Sequence, residues 1–235
     1  MVEEIEGLAQ HMQLIADYNW TDFSIREGVL FGRRVLLVQS GIGKIITAMV
    51  SQYLIDTFNP VAMLLTGVAG ALNPELEIGD VVICRDCVQH DMDAQALGYS
   101  RGTIPFTSYR FFQANIGLSE LALSAPLQDH QIILGRILTG DQFLTKKEIT
   151  HYEYLIQDLK GDCIEMEGAA NALVCTLNNI PFLIVRTISD RADGSAAADF
   201  NTFLPVVASN SIQIIRTILE SDKLNEIIDC NGENH

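Results

Sequence analysis

The sequence predicts one α/β domain built on a mostly parallel or mixed sheet. Three observations lead there. Apolar β-prone runs alternate with helical patterns to the end of the chain, and no Pro/Gly/Ser linker separates them. Two of the runs, 61–65 and 132–138, are almost continuously apolar, as strands covered on both faces are. The chain has 235 residues, enough for one large domain or two small ones at a prior of about 150 residues each.

Taken in order, residues 2–18 place Ile5, Leu8, Met12 and Ile15 at helical spacing and read as a helix. Two β-prone runs within 23–40 flank Gly32-Arg33-Arg34 and read as a hairpin ending at Val38. Gly41-Ile42-Gly43 closes that strand. From Lys44 to Phe58 a helix follows, with Ile46, Met49, Val50, Tyr53 and Leu54 on one face and Pro60 beyond its end. Further strands are read at 61–65, 80–89, 132–138, 163–164 and 181–188, and further helices at 146–159, 166–178 and 203–219. Residues 220–235 carry five acidic groups, one Lys and little apolar content. The sequence thus divides into a domain over 1–220 and an acidic, disordered tail over 221–235.

Charge and composition narrow the function. A net charge of −15 argues against a nucleic-acid partner, whose phosphates need cations. The chain is 48% hydrophobic and 19% charged, with a mean hydropathy of +0.20. That is more apolar than a monomer of this size needs, and a buried oligomer face accounts for the surplus. No apolar run approaches the roughly 18 residues of a membrane span. The acidic start, Met1-Val2-Glu3-Glu4, does not fit the basic region of a signal peptide. Five scattered cysteines suit a reducing cytoplasm.

In open α/β sheets ligands bind beyond the carboxyl ends of the strands. Four such ends carry unusual residues here: Thr66-Gly67-Val68-Ala69-Gly70, Thr139-Gly140-Asp141-Gln142-Phe143, Glu165-Met166-Glu167 and Ser189-Asp190, with Arg186 inside an apolar strand. The two glycines of the first would let backbone approach a ligand. Singly, each has a structural explanation: Glu165 and Glu167 suit a helix start, and Ser189-Asp190 suits an N-cap. Together they gather carboxylates, glycines and an arginine on one sheet edge.

Other motifs fail on chemistry. Gly41-Ile42-Gly43-Lys44 lacks the spacing of a Walker loop, and Ile45 stands where a Ser or Thr would hold magnesium. Cys84 and Cys87 lie three apart in a strand, facing opposite sides, with no second pair, so they read as core cysteines rather than zinc ligands. His90-Asp91-Met92-Asp93 reads as a hydrogen-bonded loop. No cofactor and no metal is expected.

These stretches, with Met1-Val2-Glu3-Glu4-Ile5, Ser40-Gly41-Ile42-Gly43-Lys44, Gln89-His90-Asp91-Met92-Asp93, Glu165-Met166-Glu167-Gly168-Ala169 and Arg186-Thr187-Ile188-Ser189-Asp190, run through nearly the whole chain. In that order they resemble the 5′-methylthioadenosine/S-adenosylhomocysteine nucleosidases of the nucleoside phosphorylase superfamily. The resemblance implies a three-layer α/β sandwich with a central mixed sheet, a homodimer, and hydrolysis of an adenine nucleoside without metal or cofactor. It implies 5′-methylthioadenosine, S-adenosylhomocysteine and 5′-deoxyadenosine as substrates. By the same resemblance, Glu4 activates water and Asp190, beside Ser189, protonates adenine. Glu167 holds the ribose hydroxyls, Met166 packs under the sugar and Arg186 lies near the water. Phe143 stacks on the base and Leu144 meets it through backbone. Ile42, Val68, Ala69, Gly70, Glu165 and Phe200 complete the substrate-binding set. Leu97 and Pro105 belong to a loop covering the neighbouring subunit's 5′ group.

Val68 and Leu97 depart from the residues common in the family, toward apolar ones. Family members also begin with a buried strand before the Met-Glu-Glu segment, and this chain starts at that Met. The sequence therefore predicts unpaired edges inside the sheet, a loosely held Glu4, weak stability, poor activity and a translation start upstream. Three rivals stand beside the main reading. An aminodeoxyfutalosine-type hydrolase uses the same catalytic residues. A purine nucleoside phosphorylase needs cations for phosphate, where this chain offers Met63-Leu64-Leu65 and glutamates. A non-catalytic nucleoside-binding protein does not need Glu4, Glu167 and Asp190 together.

Overall fold

The computed structural model describes the backbone of residues 2–144, 151–190 and 196–229; the side chains of 2–4, 196–207 and 229 fall outside that description. The chain opens with helix α1 (Val2–Ala9), strands β1 (Met12–Trp20), β2 (Phe23–Leu30) and β3 (Arg33–Val38), and helix α2 (Lys44–Phe58). Strands β4 (Met63–Ala71), β5 (Val81–Gln89) and β6 (Phe112–Gln113), helix α3 (Ile116–Leu123) and strand β7 (Ile132–Thr139) follow. The remainder is helix α4 (Tyr154–Gln157), strand β8 (Cys163–Glu165), helix α5 (Gly168–Leu177), strand β9 (Phe182–Asp190) and helices α6 (Ala196–Glu220) and α7 (Leu224–Asp229).

The central sheet is mixed, as the sequence predicts, with order β6-β5-β7-β8-β4-β9. Parallel pairs β4–β9, β5–β7 and β7–β8 combine with antiparallel β4–β8 and β5–β6. β9 also pairs antiparallel with β5 over Val81–Ile83, so the sheet curls until its two ends meet. All nine residues of β9 are buried, which explains why Phe182–Val185 is an unbroken apolar run. The core between this sheet and helices α3, α5 and α6 includes Val81, Val82, Ile83, Leu118, Ile137, Leu183, Ile184 and Ile214.

The second sheet is the antiparallel meander β1-β2-β3. It is fastened to α2 by an apolar cluster of Ile25, Val50 and Leu54, with Trp20 stacked on Tyr53 at 4.1 Å.

Three expectations change. The helix read over 2–18 ends at Ala9, and Met12–Trp20 is β1. Spacing of three and four at Ile5, Leu8, Met12 and Ile15 coincides with a period-two series, Met12, Leu14, Ala16, Tyr18 and Trp20. Pairing with β2 selects the strand, and Ile15 is left exposed at a bulge. Leu8, by contrast, is buried, and α1 lies on α6 with Gly7 against Ile212. The tail read over 221–235 contains α7, whose Leu224 is buried and whose Ile227 packs on Gly117. Residues 230–235 lie outside the described residues, as does 145–150 at the start of the helix read over 146–159. Finally, a bulge between Cys84 and Asp86 turns Cys87 toward Cys84, so the two thiols do not face opposite sides. Both are buried, and burial first, then the neighbouring Cys84, pushes the Cys87 thiol well above its ordinary value.

One edge matters for stability. β4 pairs β9 along Met63–Gly70 on one side, whereas on the other β8 reaches only Gly70 and Ala71. β3 ends the small sheet. Among the described residues no strand lies between β3 and β4, and residues 35–38 and 63–69 line one cavity of about 1240 Å³. Its walls carry backbone groups with no ladder partner.

Candidate active site

The centre of the site is a buried ion pair. Arg186 points inward from β9, and both its nitrogen Nε and its Nη2 reach Glu165 Oε2 at the end of β8. Each side chain is 2% exposed or less. Ionised groups so buried persist only when fully hydrogen-bonded. Glu165 meets that demand: it accepts the Thr139 hydroxyl and the backbone amides of Glu167 (2.9 Å) and Gly168 (2.7 Å). Thr139 in turn accepts the Ala169 amide at 2.8 Å. Glu165 is therefore occupied in shaping the turn that carries Met166 and Glu167. Glu165 also lines the cavity.

Glu167 stands one layer further out. Its Oε2 lies 3.3 Å from Arg186 Nη2, and its Oε1 accepts the Gly43 amide at 2.9 Å. Burial pushes its carboxyl above the ordinary value and Glu165 adds to the effect, against the opposing pull of Arg186 and of the Gly43 and Met166 amides. Asp190 ends β9, is 5% exposed, and receives a hydrogen bond from Ser189 Oγ at 3.2 Å.

The glycines of 66–70 serve a purpose beyond the one expected. A Cβ on Gly67 would collide with the Arg186 guanidinium, and one on Gly70 would sit 3.2 Å from Asp190 Oδ1. They admit the two charged side chains of β9, and both glycines also line the cavity. Gly140 likewise clears space for His90, which burial pushes down to about 4 and so keeps neutral; its Nδ1 meets the Tyr154 hydroxyl at 3.2 Å.

The cavity brings together Ile42, Val68, Ala69, Gly70, Phe143, Leu144, Glu165, Met166, Glu167, Arg186, Ser189 and Asp190. Ile42 and Phe143 are 78% and 67% exposed at its mouth, and Leu144 is buried. Among the described residues lining this end, the one cation is Arg186. Leu97, in a short 3₁₀ turn over Gln95–Leu97, and Pro105 lie on the excursion after β5 and do not line this chain's own cavity. Glu4 lies on α1 and Phe200 on α6, but their side chains lie outside the described residues. The sequence reading singled out the Thr139 strand end without giving Thr139 a role, and it missed the Lys44–Asp91–Asp141 cluster. Lys44 was visible only as a failed phosphate loop, and Asp91 and Asp141 sat unassigned within quoted motifs.

Residues 1–220 match the Phosphorylase superfamily. A 5′-methylthioadenosine/S-adenosylhomocysteine nucleosidase of Actinobacillus succinogenes is 34% identical over 225 residues, 93% of this chain and 95% of that protein. The crystal structure of the corresponding enzyme of Neisseria meningitidis, in complex with methylthio-immucillin-A, superposes with a TM-score of 0.87 at 33% identity, covering 94% of this chain and 95% of that one. A futalosine hydrolase of Helicobacter pylori superposes with a TM-score of 0.83 at 30% identity, over 92% and 93%.

A carboxyl whose folded-state value is raised stabilises the fold at low pH and loses that contribution as pH rises through the raised value. For Glu167 the direction is upward. Glu167→Gln is therefore expected to melt higher than the native protein at pH 7, with the gain fading toward about pH 4. Melts at both pH values test this, and an equal gain at both would separate the effect from titration.

Proposed function

The chain belongs to the phosphorylase superfamily, and from that premise we propose that it is a nucleosidase. It hydrolyses the N-glycosidic bond of 5′-methylthioadenosine and S-adenosylhomocysteine, releasing adenine and the 5-thioribose product. The observation that carries water rather than phosphate as nucleophile is the charge at the glycine-loop end. Among the described residues at this end, Glu165, Glu167 and Asp190 line the cavity with Arg186, whose guanidinium faces the first two. A phosphate dianion entering there meets net repulsion.

The chemistry asks for three things. Positive charge builds on the ribose as the bond breaks, and Glu167, placed to accept from its hydroxyls, is a favourable neighbour for that charge. The leaving adenine needs a proton, and Asp190, buried beside Ser189, is the group to supply it. Water needs a base on the other face of the sugar, and Glu4 on α1 is assigned that role. The paired carboxyls parallel an inverting glycosidase, by analogy. Phe143 stacks on the base, with Leu144, Ile42, Val68, Ala69, Gly70, Met166 and Phe200 around the nucleoside.

We further assign a cytoplasmic location and a homodimer in which Leu97 and Pro105 reach the partner's pocket. Among the described residues no helix is long and apolar enough to cross a membrane. Exposed Ile42, Ile45, Met49, Leu97, Phe106 and Phe143 supply apolar surface for a subunit contact. The likeness to a futalosine hydrolase supports a second substrate reading, with a bulkier 5′ group on the same adenine-releasing machinery.

Two measurements test the proposal. Adenine and free 5-methylthioribose are expected from 5′-methylthioadenosine in phosphate-free buffer; a 1-phosphate product that needs added phosphate would overturn hydrolysis. Release of adenine only from an aminodeoxyfutalosine-type nucleoside would move the substrate, not the reaction. Asp190→Asn is expected to lower kcat by about 10³-fold or more while substrate affinity stays within about threefold, since the proton is needed only in the transition state. A variant that keeps most of its kcat removes Asp190 from the acid role.

A further inference from the structure

Beside the carboxylates assigned above lies a charged cluster that the chemistry leaves unused. The Lys44 ammonium opens α2, with its side chain only 17% exposed. It lies 2.7 Å from Asp91 Oδ1, 3.6 Å from Asp141 Oδ2 and 3.4 Å from Gln89 Oε1. Asp141 Oδ1 accepts the Lys44 backbone amide at 2.8 Å, and Asp91 Oδ2 accepts the Asp141 amide at 3.0 Å. Immediately before Lys44, the Gly43 amide donates to Glu167. One cation therefore ties together three segments far apart in sequence: the loop into α2, the end of β5, and the loop after β7 that carries Phe143 and Leu144.

Capping alone does not account for this arrangement. Gly43, at the N-cap of α2, has no side chain, and Asp141 serves that helix start from another element. A cap needs Asp141 only. Asp91 adds a second carboxylate at the same place, and its hold on the amide of Asp141 fixes where the β7 loop sits. Two carboxylates this close repel unless a cation lies between them. Burial alone would push Asp91 up, yet the Lys44 ammonium and the Asp141 amide hold it below the ordinary carboxylate range.

Resting on the nucleosidase reading, we propose that Lys44 is a positioning residue for substrate recognition. With Asp91 and Asp141 it locks the Gly41–Lys44 loop to the Gly140–Leu144 loop before substrate arrives. The lock holds the Gly43 amide on Glu167, at the ribose end, and sets Phe143 over the base end. When the ammonium is removed the carboxylates repel, the two loops separate, and only a fraction of molecules is closed at any instant. Apparent affinity falls by that fraction. Once substrate has closed the site, Asp190 on β9 acts as before, so the loss falls on KM and not on kcat.

The test compares the full chain with its Lys44→Met and Lys44→Arg variants. Hydrogen–deuterium exchange without substrate is expected to quicken about tenfold in Lys44→Met at residues 43–44 and 140–144, with β9 unchanged. KM is expected to rise about tenfold, equivalent to about 1.4 kcal/mol, with kcat within about threefold. Lys44→Arg is expected to restore both. If Lys44→Met does not fold, Asp91→Asn keeps the side-chain shape, removes the ion pair and is expected to quicken the same two segments. Unchanged exchange, a fall in kcat at constant KM, or an arginine variant as impaired as the methionine one would each overturn the proposal. If the native protein cleaves no adenine nucleoside, the function fails while the exchange measurement still decides the lock.

Discussion

Arg186 and Glu165 are both withdrawn from water, and neither could stay ionised there alone. The site around them is arranged to meet that need. Gly67 has no side chain because the guanidinium occupies its space. Thr139 ends β7 with a hydroxyl because Glu165 needs a donor and the Ala169 amide needs an acceptor. The turn from β8 into α5 winds tightly around the Glu165 carboxylate, which takes the amides of Glu167 and Gly168. Glu167 is thereby delivered to the cavity with its backbone already fixed. A buried pair of this kind is weak support for stability, since apolar replacements can serve a fold as well. Its value here is geometric, because β4, β7, β8 and β9 are brought to one point.

The same pair explains how much of the site could be read from sequence. The grouping of Thr66–Gly70, Glu165–Glu167 and Ser189-Asp190 was legible because strand ends in an α/β sheet converge. The depth of each group was not, because depth depends on which side chain crosses which glycine. Gly67 and Gly70 suggested a ligand approach, and three-dimensional packing gives that space to Arg186 and Asp190. Glu165 and Glu167 sit two apart with identical chemistry, yet one is sealed beneath the turn and the other opens to the cavity. Nothing local separates them; the distinction comes from Thr139 and Arg186, 26 and 21 residues away.

Elements show the same division between local and long-range information. The ends of α2 were legible to the residue because its glycine-bounded start and Pro60 beyond its end agree, but its face was not: the buried residues are Thr47, Val50, Ser51, Leu54 and Ile55, and Met49 from the predicted face is exposed. β1 was not, because Ile5, Leu8, Met12 and Ile15 satisfy a helical spacing across a real boundary at Gln10-His11. The strand there exists through pairing with β2, and most of its side chains are exposed. β4 was read short, at 61–65, because its glycines look like a loop; it runs on to Ala71 because β9 pairs with it through Gly67 and Gly70. The bulge at Cys84–Asp86 leaves no local signature either, yet it decides where two thiols point.

Charge gives the site its direction. A cavity meant for phosphate places cations where the nucleophile arrives, whereas here the cations are already matched to carboxylates. Arg186 faces Glu165 and Glu167, and Lys44 faces Asp91 and Asp141. An overall charge of −15 adds a weak, salt-screened field of the same sign. A neutral nucleoside pays little to enter such a field, and the cationic sugar formed as the bond breaks gains from it. A dianion would pay twice, once to approach and again to displace a carboxylate from its guanidinium. The preference for water therefore does not depend on one missing arginine; among the described residues it follows from pairing Arg186 and Lys44 with carboxylates before any substrate arrives.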